Sequence, residues 1–223
     1  MYHREIDNSS LARKGMVNEI HKRYGIYSKR VLDAMEGVPR HLFISEALRY
    51  RAYDNISLPI GFNQTTSKPS TIAKMVQALN LMGDERILEI GTGSGYQSAV
   101  LAEIATHVIT LERIKELSKR ARDVLIFKLG YRNIDLIHGE NFLKLNDLFD
   151  GIIVSAGAIS IPFELFDKLK INGVLVIPIE RDGEHRIFRY IKRSEDSIIE
   201  DDLGDALFVP LITNDSVHIQ KKR

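Results

Sequence analysis

Seven consecutive residues, Glu89-Ile90-Gly91-Thr92-Gly93-Ser94-Gly95, have the composition of a ligand-binding turn. Glycine lacks a Cβ, so a chain rich in it can turn sharply and bring its backbone close to a bound molecule. The turn follows a short apolar run, Arg86-Ile90, and opens a helical stretch, Gly95-Ile104. In a doubly wound sheet such a junction lies at the carboxyl ends of the strands, where ligands bind. The spacing is G-x-G-x-G. The dinucleotide fingerprint G-x-G-x-x-G would need glycine at Tyr96, which argues against a nicotinamide cofactor. Glu112 stands 21 residues after Gly91, closing the next apolar run, Thr106-Leu111. A carboxylate there can accept hydrogen bonds from both ribose hydroxyls of an adenosine ligand, or it can be a solvated strand-end glutamate.

A second stretch capable of chemistry runs from Asn55 to Pro69, where apolar residues mix with Gly, Asn, Thr and Ser and read as a loop. Pro69 suits the first turn of a helix continuing to about Leu81. Ser67, just before it, can present a hydroxyl and nearby backbone donors to a carboxylate, or Ser67 or Lys68 can simply cap the helix. No Ser-His-Asp logic surrounds Ser67, so its chemistry would be that of an orienting donor rather than a nucleophile. The seven histidines, at 3, 21, 41, 107, 138, 185 and 218, lack the i,i+4 spacing of a zinc pair, and cysteine is absent. No metal site is expected.

Elements positioning these residues follow from hydrophobic period. From Ser10 to about Leu48 the pattern is helical and fairly polar, with Val31, Leu32, Met35 and Val38 near one face and Pro39 stopping the run. After the glycine turn, Ile114, Leu117, Ala121, Val124 and Leu125 recur at helical spacing up to Leu129, with Gly130 where a C′ glycine belongs. Ile134-Ile137, Gly151-Val154 and Val174-Ile179 read as further strands, with a helix around Phe163-Leu169. Alternating apolar strands and helices predict a doubly wound α/β fold on a mostly parallel sheet. Arg186-Ile191 and Ala206-Ile212, with no crossover helix between them, predict antiparallel strands at the carboxyl-terminal edge. The organisation expected is an amino-terminal helical extension and loop over 1–82 and a core over 83–223.

Lysine and arginine total 31 against 30 aspartate and glutamate, so no net field would draw the chain to nucleic acid or an anionic membrane. The amino terminus, MYHREIDNSSLARKG, has no apolar core of a signal peptide, and no stretch approaches 18 uninterrupted apolar residues. These features lead us to expect a cytoplasmic protein, monomeric, with neither membrane nor nucleic acid as partner.

An acidic residue just before G-x-G-x-G, with another at the next strand end, resembles the class I S-adenosylmethionine methyltransferases. A more specific resemblance rests on Val38-Pro39-Arg40-His41-Leu42-Phe43, Ala52-Tyr53, Leu58 to Pro69, Leu88 to Gln97, Leu111-Glu112-Arg113-Ile114, Leu129-Gly130-Tyr131, Val176-Ile177-Pro178 and Phe208-Val209-Pro210-Leu211. Over roughly residues 25 to 212 this set is similar to the protein-L-isoaspartate (D-aspartate) O-methyltransferase family. The resemblance implies S-adenosylmethionine as cofactor, isoaspartyl peptides and proteins as partners, and esterification of their α-carboxylate as the first step of repair. It implies a cofactor site of Glu89, Gly91, Gly93, Gly95, Glu112, Arg113, Gly139 and Glu140, with Ser67 as the active-site serine and Phe208-Leu211 as a strand lining the substrate cleft. Three positions depart from the family pattern: Glu140-Asn141 where Asp-Gly is usual, Thr66 where Ile is usual, and Ser155-Ala156-Gly157-Ala158 in an alanine-rich segment. The alternatives they keep open are a different peptide carboxylate as substrate and a catalytically silent binding protein. A nucleic-acid amino methylator is disfavoured, because Val154-Ser155-Ala156-Gly157 lacks the Asn/Asp-Pro-Pro-aromatic segment.

Overall fold

A computed structural model describes residues 9–181, 183–206 and 208–211. Its helical extension comprises α1 (Ser10–Arg23) and α2 (Lys29–Gly37), followed by short 3-10 turns over Arg40–Phe43 and Glu46–Arg51. Each helix buries one stripe: Met16, Val17 and Ile20 on α1, and Val31, Ala34 and Met35 on α2. The second helix stops where expected, since Val38 precedes Pro39 and is driven into extended backbone (φ −82°, ψ 119°).

The stretch read as a loop holds a hairpin instead, in which β1 (Leu58–Gly61) pairs antiparallel with β2 (Gln64–Thr66). Phe62 and Asn63 both have φ of 55°, the left-handed pair whose twist suits a two-residue hairpin turn. Strands this short, one of them carrying Pro59 and Gly61, show no alternation to detect. The next helix, α3, covers Pro69–Ala78 and ends before Leu81.

The core then alternates β3 (Arg86–Ile90), α4 (Tyr96–Ala102), β4 (His107–Glu112), α5 (Lys115–Arg122), β5 (Ile134–His138), β6 (Phe149–Val154), a single helical turn α6 (Glu164–Asp167), β7 (Leu169–Arg181), β8 (Glu184–Ser194) and β9 (Ser197–Asp205). After α5 the helix widens into a π-type turn over Asp123–Lys128. Seven strands form one sheet in the order β5-β4-β3-β6-β7-β8-β9. The pairs from β5 to β7 are parallel and those joining β7, β8 and β9 are antiparallel. The chain leaves β3 toward β5 on one side and returns through β6 on the other, so the strand order reverses between β3 and β6. Doubly wound sheets bind ligands at that crevice.

Alternate residues on each strand supply the two faces. Ile87, Val108, Ile153 and Val176 pack in one cluster with residues of α1 to α5, whereas Leu88, Ile109, Ile152 and Leu175 pack in another with Leu165 and Phe166 of α6. The helical extension therefore shares a core with the sheet.

The carboxyl-terminal edge is antiparallel as expected, with Arg186-Ile191 inside β8, but its outermost strand is formed by other residues than expected. The edge strand is β9, whose polar sequence carries no apolar alternation. It is stitched to its neighbours by ion pairs: Arg186 to Asp202 (2.8 Å) and Asp205 (2.6 Å), Arg181 to Glu200 (3.1 Å) and Arg189 to Asp201 (3.4 Å). Charge along an exposed edge also discourages pairing with another chain. Among its described residues, the run expected as a strand from Ala206 forms none of the seven strands of the sheet. Its segment 208–211 crosses the end of β6 and makes one parallel bridge, Gly157 to Pro210, with hydrogen bonds from Gly157 N–H to Val209 O (2.8 Å) and from Leu211 N–H to Gly157 O (2.6 Å). Proline has no N–H with which to extend that ladder. Leu207 and Ile212 of that run, the amino-terminal segment 1–8 with His3, and His218 lie outside the described residues. No helix among the described residues is long and apolar enough to cross a membrane.

Candidate cofactor and substrate cleft

The glycine turn leaves β3 with all three glycines at positive φ: 96° at Gly91, 55° at Gly93 and 89° at Gly95. Gly91 and Thr92 donate their N–H groups to Leu111 O (2.9 and 3.1 Å), and Gly95 donates to Thr92 O (2.9 Å). The turn is thereby bound to the end of β4. The glycines do different work. Gly91 and Gly93 line a cleft above the strand ends, but Gly95 stands behind it as the N-cap of α4. A Cβ on Gly95 would meet Leu125 Cδ1 at 3.1 Å and Ala121 Cβ at 3.2 Å, so this glycine lets α5 pack close.

Glu112 reaches the cleft wall while only 5% exposed, with each carboxylate oxygen accepting one backbone N–H: Oε2 from Gly93 (2.8 Å) and Oε1 from Ile114 (2.8 Å). Its second lone pairs remain for a ligand. Glu89 does not line the cleft. It is fully buried beneath the turn, where Oε2 accepts from the hydroxyls of Ser98 and Thr110 (2.6 Å for the latter) and Oε1 from Gln97 Nε2 (3.0 Å). Thr110 also bonds Thr92 Oγ1 (2.6 Å), and Gln97 donates to Ser155 Oγ (2.6 Å). Glu89 is thus a hub that ties the turn, α4 and the end of β6 into one unit.

Burial pushes the Glu89 carboxyl up to about 7 from 4.5, outweighing the three donors that favour its ionised form, and the Glu112 carboxylate adds to the rise. Because the folded value lies above the ordinary one, the stability it contributes is fully present below pH 4.5 and is lost as pH rises through about 7. Glu89→Gln, which stays neutral and can keep these contacts if the Gln97 amide flips, should abolish this fall in stability across that window. Urea denaturation of both proteins at pH 5 and pH 8 checks it; parallel pH dependences would show that Glu89 does not titrate there.

Ser67 lines the cleft opposite the glycine turn, beside Thr65 and Thr66 of β2. It does not cap α3, whose N-cap is Lys68 without a side-chain hydrogen bond. The Ser70 N–H is taken by Asn55 Oδ1 (3.0 Å) and Pro69 has none, so the helix start offers fewer free donors than the sequence led us to expect. Among the described residues the Ser67 hydroxyl itself has no hydrogen-bond partner, while Ser67 O accepts from Arg40 Nη2 (3.0 Å). The crossing segment supplies Val209, Pro210 and Leu211 to the same wall.

Arg113, Gly139 and Glu140 complete the lining beyond β4 and β5. Asn141 does not line it: its Oδ1 accepts from Leu143 N–H (3.0 Å) and caps a short 3-10 turn, Phe142–Lys144. Of the Glu140-Asn141 departure, therefore, only the longer carboxylate of Glu140 reaches the cleft wall, and Asn141 adds no side chain to it. Of the expected site residues, the structure brings Ser67, Gly91, Gly93, Glu112, Arg113, Gly139 and Glu140 around one cleft and holds Glu89 and Gly95 behind it. Sequence reasoning gave no site role to Gln97, Ser155, Phe142 and Pro162, which line the cleft, or to Arg40, although Arg40 and Gln97 lie inside the motifs that carry the resemblance. Phe142 and Pro162 have no such signal, because each reaches the site from a separate segment.

A sheet reversing at β3 and β6, a glycine turn over that point and a carboxylate at the next strand end define a Rossmann-like, class I methyltransferase. The profile of the protein-L-isoaspartate(D-aspartate) O-methyltransferase family matches residues 12–216, and the chain belongs to that family. It is 43% identical over 205 residues to a protein-L-isoaspartate O-methyltransferase of Syntrophotalea carbinolica, covering 91% of this chain and 94% of the relative. A Desulfosudis oleivorans protein of the same name is 46% identical over 202 residues, covering 90% of each chain. Among solved structures, a Plasmodium falciparum protein assigned as a protein-L-isoaspartate O-methyltransferase, in complex with S-adenosyl-L-homocysteine, superposes with a TM-score of 0.76 at 29% identity. The match covers 91% of this chain and 99% of that one.

Proposed function

We propose that this chain transfers the methyl group of S-adenosylmethionine to the free carboxylate of damaged aspartyl residues in proteins, the α-carboxylate of L-isoaspartyl and the β-carboxylate of D-aspartyl residues. One observation carries the reading: the same cleft is lined by the glycine turn, by Glu112 and by Ser67, whose hydroxyl has no hydrogen-bond partner among the described residues. When bound, the cofactor supplies an electrophilic methyl group on a positively charged sulfur. Glu112 would accept from its ribose, Gly91 and Gly93 would give its methionine part room against the backbone, and Arg113, Gly139 and Glu140 would form the adenine end.

The transfer would be an in-line displacement, one carboxylate oxygen gaining the methyl carbon as its bond to sulfur is lost, and the chain's own residues would have to hold the two in line. The substrate carboxylate is ionised near neutral pH, so no proton has to be removed and positioning dominates the rate. Ser67 donates to the oxygen that does not attack and so aims the other. Apolar walls from Ile60, Ile90, Leu117 and Leu165 exclude water around the reacting atoms. The neighbouring peptide nitrogen then attacks the ester carbonyl and methanol leaves, closing the succinimide that is the entry to repair. In this reading residues 1–82 carry the substrate loop, residues 83–223 bind the cofactor, and the protein works as a cytoplasmic monomer on polypeptide rather than nucleic acid.

Radiolabelled methyl transfer to an isoaspartyl peptide, beside its normal aspartyl twin, tests the reading. Label should enter the first peptide alone; equal labelling, or none, would overturn it. A related expectation concerns the adenine end. Glu140→Asp combined with Asn141→Gly should change S-adenosylhomocysteine affinity by less than about tenfold, since Asn141 is spent on its own turn. Calorimetry showing a much larger gain would mean that the native pair impairs the site.

A further inference from the structure

We propose that Arg40 is a positioning residue, whose buried guanidinium fixes the substrate loop against the first residue of the helix leaving the glycine turn. The inference rests on the function proposed above. Arg40 is 0% exposed, although burying a guanidinium is costly and an apolar side chain could fill the same space. What an apolar side chain could not do is bind carbonyls. Nη1 donates to Ala52 O, and Nη2 donates to Ser67 O (3.0 Å) and, at longer range, to Ile56 O (3.5 Å). One side chain therefore holds the segment from 52 to 67 at three points, the last of them on Ser67 itself.

The other face of the guanidinium lies over the Tyr96 ring, 5.5 Å from its centroid. Tyr96 is also fully buried, begins α4 immediately after Gly95, and takes the edge of Phe43 at 5.8 Å. Arg40 thus touches both the loop that bears the serine and the helix that the cofactor turn opens. From the far side Asn55, half-buried, ties the same loop to the start of α3 through the Ser70 N–H. The distance between Ser67 and the cofactor turn is set by these anchors. Lysine cannot take over this role, because a single ammonium lacks the planar fork that spans separated acceptors.

The test is steady-state methylation of an isoaspartyl peptide by Arg40→Lys, with S-adenosylhomocysteine affinity measured by calorimetry on the same protein. A misplacement of the order of 1 Å can cost up to about a hundredfold in rate, so kcat should fall about tenfold or more while the dissociation constant stays within about threefold. In a Ser67→Ala background the same change should cost less than about threefold, because the hydroxyl being aimed is gone. Equal losses of kcat and cofactor affinity would reduce Arg40 to a packing role, and full additivity with Ser67→Ala would disconnect it from the serine. If Arg40→Lys does not fold, Asn55→Ala carries the test from the other anchor. It should show the same split, and unchanged kcat would end the proposal. Wild-type turnover by Ser67→Ala alone would sink the role of the serine, leaving the kcat split of Arg40→Lys to decide whether the loop needs its anchor.

Discussion

Ser67→Ala is expected to methylate an isoaspartyl peptide roughly ten- to a hundredfold more slowly than the wild-type chain while binding S-adenosylhomocysteine unchanged. A hydrogen bond to a charged group is worth about 1.5–3 kcal/mol, and the whole of it appears in the rate if the bond matters mainly in the transition state. Neither oxygen of Ser67 serves the cofactor turn: its carbonyl accepts from Arg40 and its hydroxyl is unpartnered among the described residues. Cofactor affinity should therefore be spared. The variant should be impaired but active, and its pH–rate profile should keep the wild-type shape, because the serine moves no proton. Steady-state kinetics across pH decide the matter. Wild-type turnover would leave Ser67 a bystander, and a loss above about 10⁴-fold without unfolding would require covalent or acid–base chemistry instead.

For Glu112→Ala the expected loss falls on the cofactor, with affinity for S-adenosylmethionine and its demethylated product weakened by about 1–3 kcal/mol. Two effects add. The ribose hydroxyls lose a charged acceptor, and the N–H groups of Gly93 and Ile114 lose the partner that fixes the turn. Glu112→Gln should rescue little, since both carboxylate oxygens already accept and an amide would point a donor at one of those N–H groups. Titration calorimetry with S-adenosylhomocysteine measures this directly. An unchanged dissociation constant would take Glu112 out of the site.

The sheet and the glycine-turn side of the cleft were legible because their signals are local. Arg86–Ile90 begins and ends where its apolar run does, and the glycine turn announces itself by composition. What failed was set by distant partners. The hairpin at 58–66 is too short for its own period, and β9 is a strand because arginines of β7 and β8 face its acids, not because its sequence alternates. Spacing alone placed Glu89 and Gly95 in the same motif as Gly91 and Gly93. Which way each residue faces depends on α5 and on the polar cluster of Ser98, Thr110 and Gln97, about which a linear motif says nothing. Thr66 shows the same limit: it is buried and lines the cleft, and nothing else in the structure explains why threonine stands there.

The core shared by the helical extension and the sheet has a consequence for synthesis on the ribosome. Met16, Val17 and Ile20 are made early, yet they belong to one cluster with Val108, Leu136 and Ile187. At roughly 5–20 residues per second, the 120 residues from Met16 to Leu136 take about 6–24 s to appear, and Ile187 later still. For that interval the apolar stripes of α1 and α2 have only part of their sheet to cover them. The nascent chain must keep its first two helices soluble until its middle has been translated, and the polar faces of those helices are what it has available to do so.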